Sequence, residues 1–273
     1  MQIATPPVAL ARRPRAFVRV SGPDARDYLQ RMVSNDVDAL AAGESCEALL
    51  LTPKARVIAP LLILCRGADD FLLLTEPELG AVVRSTLLRA RFAAKAEIEL
   101  EEHDSLLVLG EEAALPDGAL AVPNADYGVP AFELIDAVAP AAPELGEEEL
   151  DRLRIVAGSP RFGREIDDRV LPAEAGLVER CVSFGKGCYP GQEPVARLRY
   201  RGHANRSLRV LVIDDDELPG YDAEIAFDGK AVGRVTSSAR RPEGGVVALG
   251  YLRVEVPSEA ELRVGSARAR QLH

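Results

Sequence analysis

The stretch Cys46–Thr75, "CEALLLTPKARVIAPLLILCRGADDFLLLT", decides the fold class. Three short apolar runs are separated by Thr52-Pro53-Lys54 and by Gly67-Ala68-Asp69-Asp70, and such punctuation predicts three strands joined by turns. Cys46 and Cys65 fall in or beside these runs and read as small buried hydrophobes. Upstream, "FVRVSGPDARDYLQRMVSNDV" (17–37) predicts strand, turn and helix. Ser21 offers an N-cap, Pro23 suits the first turn, and Ala25, Tyr28, Leu29, Met32 and Val33 keep helical spacing. Downstream, Pro77–Phe92 predicts a second amphipathic helix with Leu79, Val82, Val83, Thr86, Leu87 and Ala90 on one side. "AEIEL" and "SLLVLG" then read as strands. Helices and strands mix without a regular βαβ rhythm, so the expected class is α+β.

Turn residues dominate from Gly110 to Pro130, and "VAPAAPELG" (138–146) is a Pro/Ala-rich connector. A helix is expected from about Glu147 to Ala157, ended by Gly158 and Pro160. Beyond Ser207 the texture changes to "SLRVLVI", "AEIAF", Asp228-Gly229, "KAVGRVTSS", Gly244-Gly245, "VVALGYLRV" and "AELRV". Asp-Gly between strands signals a hairpin, and the whole segment predicts a small β-barrel. The expected division is an α+β module over 1–205 and a barrel over 206–273.

The 273 residues are 47% apolar, enough for a real core, and no apolar run approaches the roughly 18 residues of a membrane helix. "MQIATPPVAL" lacks a basic segment followed by a hydrophobic one, so a secretory signal is not expected. The cysteines at 46, 65, 181 and 188 form no CxxC pair, which fits a reducing cytoplasm better than a disulfide framework. His103, His203 and His273 have no metal-ligand spacing, and no metal site is expected. A P-loop, a dinucleotide fingerprint and a GxSxG elbow are missing. The net charge of −10 argues against coating nucleic acid or membrane through the overall field.

One segment runs against that field. Between Phe184 and Arg206 five basic residues face the single Glu193, a local +4 that leaves −14 on the rest. It contains "FGKGCYPGQEPVARLRYRG" (184–202). Gly185, Gly187 and Gly191 allow positive φ, while Pro190 and Pro194 stiffen the turn. "VARLRYR" alternates, and read as a strand it aligns Arg197, Arg199 and Arg201 on one face, suited to carboxylates or phosphates. The alternative is a solvated face. Cys188 lies two residues from Lys186, which would favour a thiolate; the alternative is a buried structural thiol. Upstream, Glu174 stands in the apolar turn of "GSPRFGREIDDRVLPAEAGL" (158–177). A sheltered carboxylate needs parallel N–H donors, from a guanidinium or a pterin 2-amino–N3 edge. A helix cap or a pair with Arg180 is the alternative.

"GSPRFGREID", "LPAEAGLVERCVSFGKGCYPGQEPVARLRYRGHANR", "VRVSGPDARDYLQRMVSNDV" and "LLLTPKARVIAP" together resemble the YgfZ family, a folate-binding branch related to the T-protein (aminomethyltransferase) of the glycine cleavage system. "KGCYPGQE" matches the K-G-C-Y-x-G-Q-E of that branch. The resemblance implies a cloverleaf of interleaved α+β subdomains around a folate site, plus a C-terminal barrel. It implies tetrahydrofolate or a one-carbon derivative as cofactor, iron–sulfur client enzymes, and tRNA modification as a further role. Glu174 would contact the pterin, and Cys188 would be the redox or cluster-handling thiol, with Lys186 beside it. Tyr189, Gln192 and Glu193 would complete the motif, and Arg197 and Arg199 would meet the folate glutamate tail. T-proteins place aspartates where this chain has Ala59 and Pro60, which argues against one-carbon transfer by that route. Ala55 stands where the branch usually has glycine, which puts a positive-φ turn there in doubt.

Overall fold

A computed structural model describes residues 7–113 and 118–272. The chain begins with β1 (Ala9–Ala11), β2 (Ala16–Ser21), α1 (Ala25–Met32), β3 (Ser45–Leu51), β4 (Val57–Gly67) and β5 (Asp70–Thr75). A short 3-10 turn (Pro77–Leu79) leads into α2 (Gly80–Ala90), followed by β6 (Glu97–Glu101), β7 (Ser105–Leu109), β8 (Leu120–Pro123) and β9 (Ala131–Ile135). Then come α3 (Glu147–Val156), α4 (Val178–Cys181) and α5 (Gln192–Arg201). The chain closes with β10 (Arg206–Ile213), β11 (Glu224–Phe227), β12 (Lys230–Arg240), β13 (Val246–Arg253), β14 (Leu262–Val264) and β15 (Ala267–Gln271). No helix among the described residues is long and apolar enough to cross a membrane.

The three apolar runs of 46–75 are β3, β4 and β5, within an antiparallel sheet ordered β3-β4-β5-β2-β6. Their near-continuous apolar character has a physical reason: both faces are covered. Val18, Val20, Ile63, Phe71 and Leu73 pack under Tyr28 and Leu29 of α1 and Val83 and Leu87 of α2. On the other face Phe17, Leu64, Leu72 and Leu74 meet Val122 and Ile135 of a second sheet, ordered β1-β7-β9-β8. Because β1 joins the second sheet and β2 the first, the chain crosses between the two within four residues, Arg12 to Arg15. The α+β class follows. β10 to β15 close into a six-stranded barrel ordered β10-β13-β12-β11-β14-β15, and Asp228 and Gly229 both take positive φ in its β11–β12 hairpin.

Four local expectations are corrected. Asp24, not Ser21, precedes α1, and its carboxylate accepts from the Lys95 backbone N–H at 2.7 Å instead of capping the helix. β8 forms inside the turn-rich stretch after Gly110, where pairing with β9 outweighs weak local propensity. The alternating "VARLRYR" is not a strand but part of α5. Gly191 at φ 85 starts that helix, Glu193 and Pro194 occupy its first turn, and Arg199 and Arg201 its last, all favourable to a helix of this polarity. Fourth, Ala55 does take positive φ, at 57°, in a turn closed by Ala55 N–H to Thr52 O at 2.8 Å and by Arg56 N–H to Thr52 Oγ1 at 3.0 Å.

That turn is a platform. A Cβ on Gly191 would sit 2.7 Å from Thr52 O and 3.0 Å from Ala55 Cα, so only glycine lets the 184–191 turn seat there. Gly185 and Gly187 lack both constraints: neither has positive φ, nor, among the described residues, a neighbour within 4 Å of a built Cβ. Gly191→Ala should therefore cost at least about 2 kcal/mol, adding a backbone clash to left-handed strain. Gly187→Ala should stay within about 0.5 kcal/mol. Urea midpoints of the two variants check this, and equal midpoints would refute the docking.

A second prediction concerns the β6–β7 connection. The His103 imidazole contacts Glu101 at 2.9 Å and Asp136 at 2.6 Å and meets the Phe17 ring edge-on at 5.1 Å. Burial disfavours its charge, but the hydrogen bonds its ring N–H groups donate to the two carboxylates outweigh burial and raise its pKa. A raised folded-state pKa means stabilisation that is complete below about pH 6.5 and lost as pH rises through the folded value. His103→Gln should lower the urea midpoint most near pH 6, and the gap should narrow by pH 9. A gap that widens with pH would contradict this.

Candidate functional site

The 184–191 turn separates its side chains sharply. Lys186 points inward, its Nζ donating to the backbone carbonyls of Val33 at 2.8 Å and Asn35 at 2.5 Å. Burial brings its pKa down to about 8. Its ammonium is thus held by backbone carbonyls. Tyr189 is buried beneath it, with Lys186 Nζ 5.5 Å from the ring centroid. The Tyr189 hydroxyl has no hydrogen-bond partner among the described residues, and burial raises its pKa to about 12. Cys188 is exposed, whereas Cys65 and Cys181 are buried and Cys46 is half-buried. Gln192 Nε2 donates to Gly187 O at 3.5 Å, bracing the turn. Glu193 is exposed in the first turn of α5, where its charge complements the helix N-terminus.

Helix formation redistributes the arginines. Arg199 pairs with Glu179 at 2.9 Å and lies 4.3 Å over the Phe184 ring. Arg197 and Arg201, four residues apart, share the outer face of α5. The single face of three arginines expected from a strand does not exist.

Glu174 is buried, 9% exposed, and its donors come from the protein. Its carboxylate accepts from Arg206 Nε at 3.0 Å, Arg206 Nη2 at 3.3 Å and the Leu171 N–H at 3.0 Å. Its backbone carbonyl accepts from Leu208 N–H at 2.8 Å. Arg206 also stacks 4.9 Å over Tyr251. The acid therefore joins the 171–177 turn to the first barrel strand. Arg180 is engaged elsewhere, with Glu47 at 3.3 Å and Asp126 at 3.0 Å.

Where the two sheets and the 159–183 segment meet lies an ionic junction that motif reading missed. Arg13 donates to Asp126 at 2.9 Å, Glu76 at 2.9 Å and the Tyr127 hydroxyl at 3.1 Å. Arg15 donates to Glu133 at 2.8 Å, and Asn124 Nδ2 adds a bond to the same carboxylate at 2.7 Å. Burial penalises a charge on Asp126, but Arg13 and Arg180 outweigh that and bring its pKa down to about 2. Burial pushes Glu47 up, more than Arg180 offsets. A carboxylate inside an apolar strand, as in "AFELI", and the Arg-rich "ARRPR" were the available signals.

A cavity of about 530 Å³ opens in front of this junction, lined by Arg13, Glu76, Tyr127, Asp151, Arg161 and Arg164 among others. The Arg161 and Arg164 side chains are in no ion pair among the described residues. Behind the junction only about 50 Å³ remains, reaching Pro60, Phe162 and Cys181. Both signs of charge line the larger cavity, which suits a ligand that carries both N–H donors and anionic groups. Glu174 lines neither cavity. Cys181 turns inward, its Sγ 3.6 Å from Glu47, and no group of three potential metal ligands exists among the described residues.

No family model matches the chain. The tRNA-modifying protein YgfZ of Edwardsiella ictaluri is 29% identical over an alignment covering 98% of this chain and 93% of that protein. An uncharacterized protein of Haemophilus influenzae is 25% identical over 91% of this chain and 90% of its own length. A putative chloroplastic transferase of Arabidopsis thaliana is 27% identical over 88% of this chain and 64% of its length. The crystal structure of glycine cleavage system aminomethyltransferase T from Bartonella henselae superposes with a TM-score of 0.85 at 20% identity, covering 97% of this chain and 85% of that one. The chain is thus similar to YgfZ proteins along nearly all of its length, and it shares the fold of the aminomethyltransferase from its first sheet to the barrel.

Proposed function

We propose that this protein binds tetrahydrofolate, or a one-carbon derivative, and acts as an accessory factor in tRNA modification by supporting iron–sulfur enzymes. The observation that carries the reading is the 530 Å³ mixed-charge cavity at the junction of the two sheets, in a chain similar to YgfZ proteins and of this fold. A reduced folate offers a flat ring with parallel N–H donors and a tail of carboxylates. Glu76 and Asp151 supply acceptors at the cavity wall, and Arg161 and Arg164 supply guanidinium groups for the tail. Arg197 and Arg199 lie on α5 and do not line this cavity. Glu174 would reach a pterin edge by exchanging Arg206, which presents the same geometry of paired N–H donors.

Transfer of a one-carbon unit by the T-protein route is not part of the proposal. Ala59 and Pro60 lie in β4, and neither can give or take a proton; Pro60 only accepts, through its carbonyl, from Thr75 Oγ1 at 2.8 Å. Cys188 is the thiol proposed to act, because it alone among the four is exposed. A cluster needs about four thiolates, so a single exposed sulfur would hold iron–sulfur cargo only together with a client's ligands.

Calorimetric titration of tetrahydrofolate tests the ligand and its seat together. Arg161→Ala/Arg164→Ala should weaken binding at least about 10-fold, the loss of one or two charge-assisted contacts. Absence of binding by the wild type removes the folate reading. If instead Glu174→Gln abolishes binding while the double variant binds normally, the ring sits at Glu174.

A maleimide reagent should label Cys188 first in the folded protein, and Cys65 and Cys181 only after unfolding. Cys188→Ala should keep tetrahydrofolate affinity but lose support of the iron–sulfur client, measured as client activity in a deletion strain. Full support by that variant removes the thiol role.

A further inference from the structure

Helix α5 turns Val195 and Leu198 inward and leaves a polar-aromatic stripe outside. Arg197, Tyr200 and Arg201 stand at i, i+3 and i+4, so they share one face, with Cβ atoms of neighbouring members about 5–6 Å apart. Tyr200 is 68% exposed, and its ring is held edge-on against Phe184 at 5.9 Å and 75°. The Arg199 guanidinium lies 4.3 Å over the same Phe184 ring, so the support for Tyr200 is itself braced. Arg197 and Arg201 are exposed and form no ion pair or side-chain hydrogen bond among the described residues. On the flank of α5, a hollow of about 270 Å³ is floored by Val178, Val195 and Leu198. This stripe belongs to the segment that carries +4 while the rest of the chain carries −14.

We propose that this face of α5 binds single-stranded RNA, with Tyr200 stacking on an unpaired base and Arg197 and Arg201 receiving the phosphates on either side. The proposal rests on the tRNA reading above and adds the surface and the form of RNA. An acidic protein segment would use the two arginines, but it has no use for a presented aromatic face between them. An unpaired base does, because every base has a π-face. Double-stranded RNA is disfavoured: its A-form major groove is too narrow for side chains, and a single tyrosine cannot stack within an intact helix. The acidic remainder of the molecule confines phosphate contact to this patch, so the footprint is short.

Fluorescence anisotropy with a labelled 15-nucleotide oligouridylate, repeated across a salt series and with deacylated bulk tRNA, tests this on the full chain. The wild type should bind at about 50 mM salt. Tyr200→Ala should weaken binding roughly 5- to 150-fold without changing the salt slope, the range expected for one stacked base. Tyr200→Phe should bind as the wild type, which separates stacking from a folding defect. Arg197→Ala/Arg201→Ala should reduce the slope by about 1.4, two single-strand phosphate contacts. All three variants should titrate tetrahydrofolate unchanged. Bulk tRNA bound with an affinity indifferent to these residues overturns the surface and leaves the tRNA reading standing. No binding of either RNA by the wild type ends the surface and direct tRNA contact together, without touching the folate result. A glutamate-rich peptide that binds the stripe independently of Tyr200, in place of RNA, overturns the proposal in favour of an acidic protein partner.

Discussion

Four residues crossing between two sheets carry the constraint on which the architecture depends. Arg13 and Arg15 lie in the step from β1 to β2, and their guanidinium groups are matched by Glu76 after β5, by Asp126, and by Glu133 in β9. Arg180 extends the cluster to Glu47 of β3. Each buried ion costs several kcal/mol to desolvate, and removing one partner of such a pair typically costs about 3–5 kcal/mol, so the cluster is stable only when complete. Completing it requires β1, β2, β3, β5, β9 and α4 to be in place at once. The same charges divide the interior space, leaving a wide cavity on one side and a residual void on the other.

A second contact sets the geometry of the cysteine turn. Gly191 rests on the Thr52–Ala55 turn at a distance no side chain tolerates, and α5 begins at that point. Lys186 ties the turn down by donating to Val33 and Asn35, and Tyr189 buries its ring beneath. What remains outside is Cys188 and the outer stripe of α5. The anchoring residues of the motif therefore present its sulfur, while its arginines are presented by the helix that follows. Glu174 and Arg206 do comparable work at the barrel, joining a turn of the α+β part to β10 with Tyr251 stacked beneath the guanidinium.

The environments of the four cysteines show how far chemistry depends on placement. Cys65 is buried in the first sheet, and Cys181 lies against Glu47, where burial pushes its thiol well up. Cys46 is half-buried, and burial brings its pKa to about 12. Identical side chains are thus withdrawn from solution chemistry at three sites and offered to it at the fourth.

By itself the sequence determined whatever depends on neighbours along the chain. The strands of 46–75, the helices α1, α2 and α3, the Asp228-Gly229 hairpin and the β-texture of the barrel were legible, because periodicity and turn chemistry are local properties. So was the resemblance to the YgfZ proteins, since "KGCYPGQE" is a contiguous word. Tertiary structure decided the rest. "VARLRYR" alternates like a strand, yet the capping glycine and the platform at Ala55 make it a helix, and residue alternation carries no information about either. Ala55 keeps a left-handed turn without glycine because Thr52 and Gly191 enclose it. Glu174 was legible as a sheltered acid, but its Arg206 partner lies 32 residues away in sequence and came together with it only when the barrel docked. The ionic junction draws on residues from Arg13 to Arg180, and charges spread that widely acquire a common purpose only where the folded chain removes them from water together.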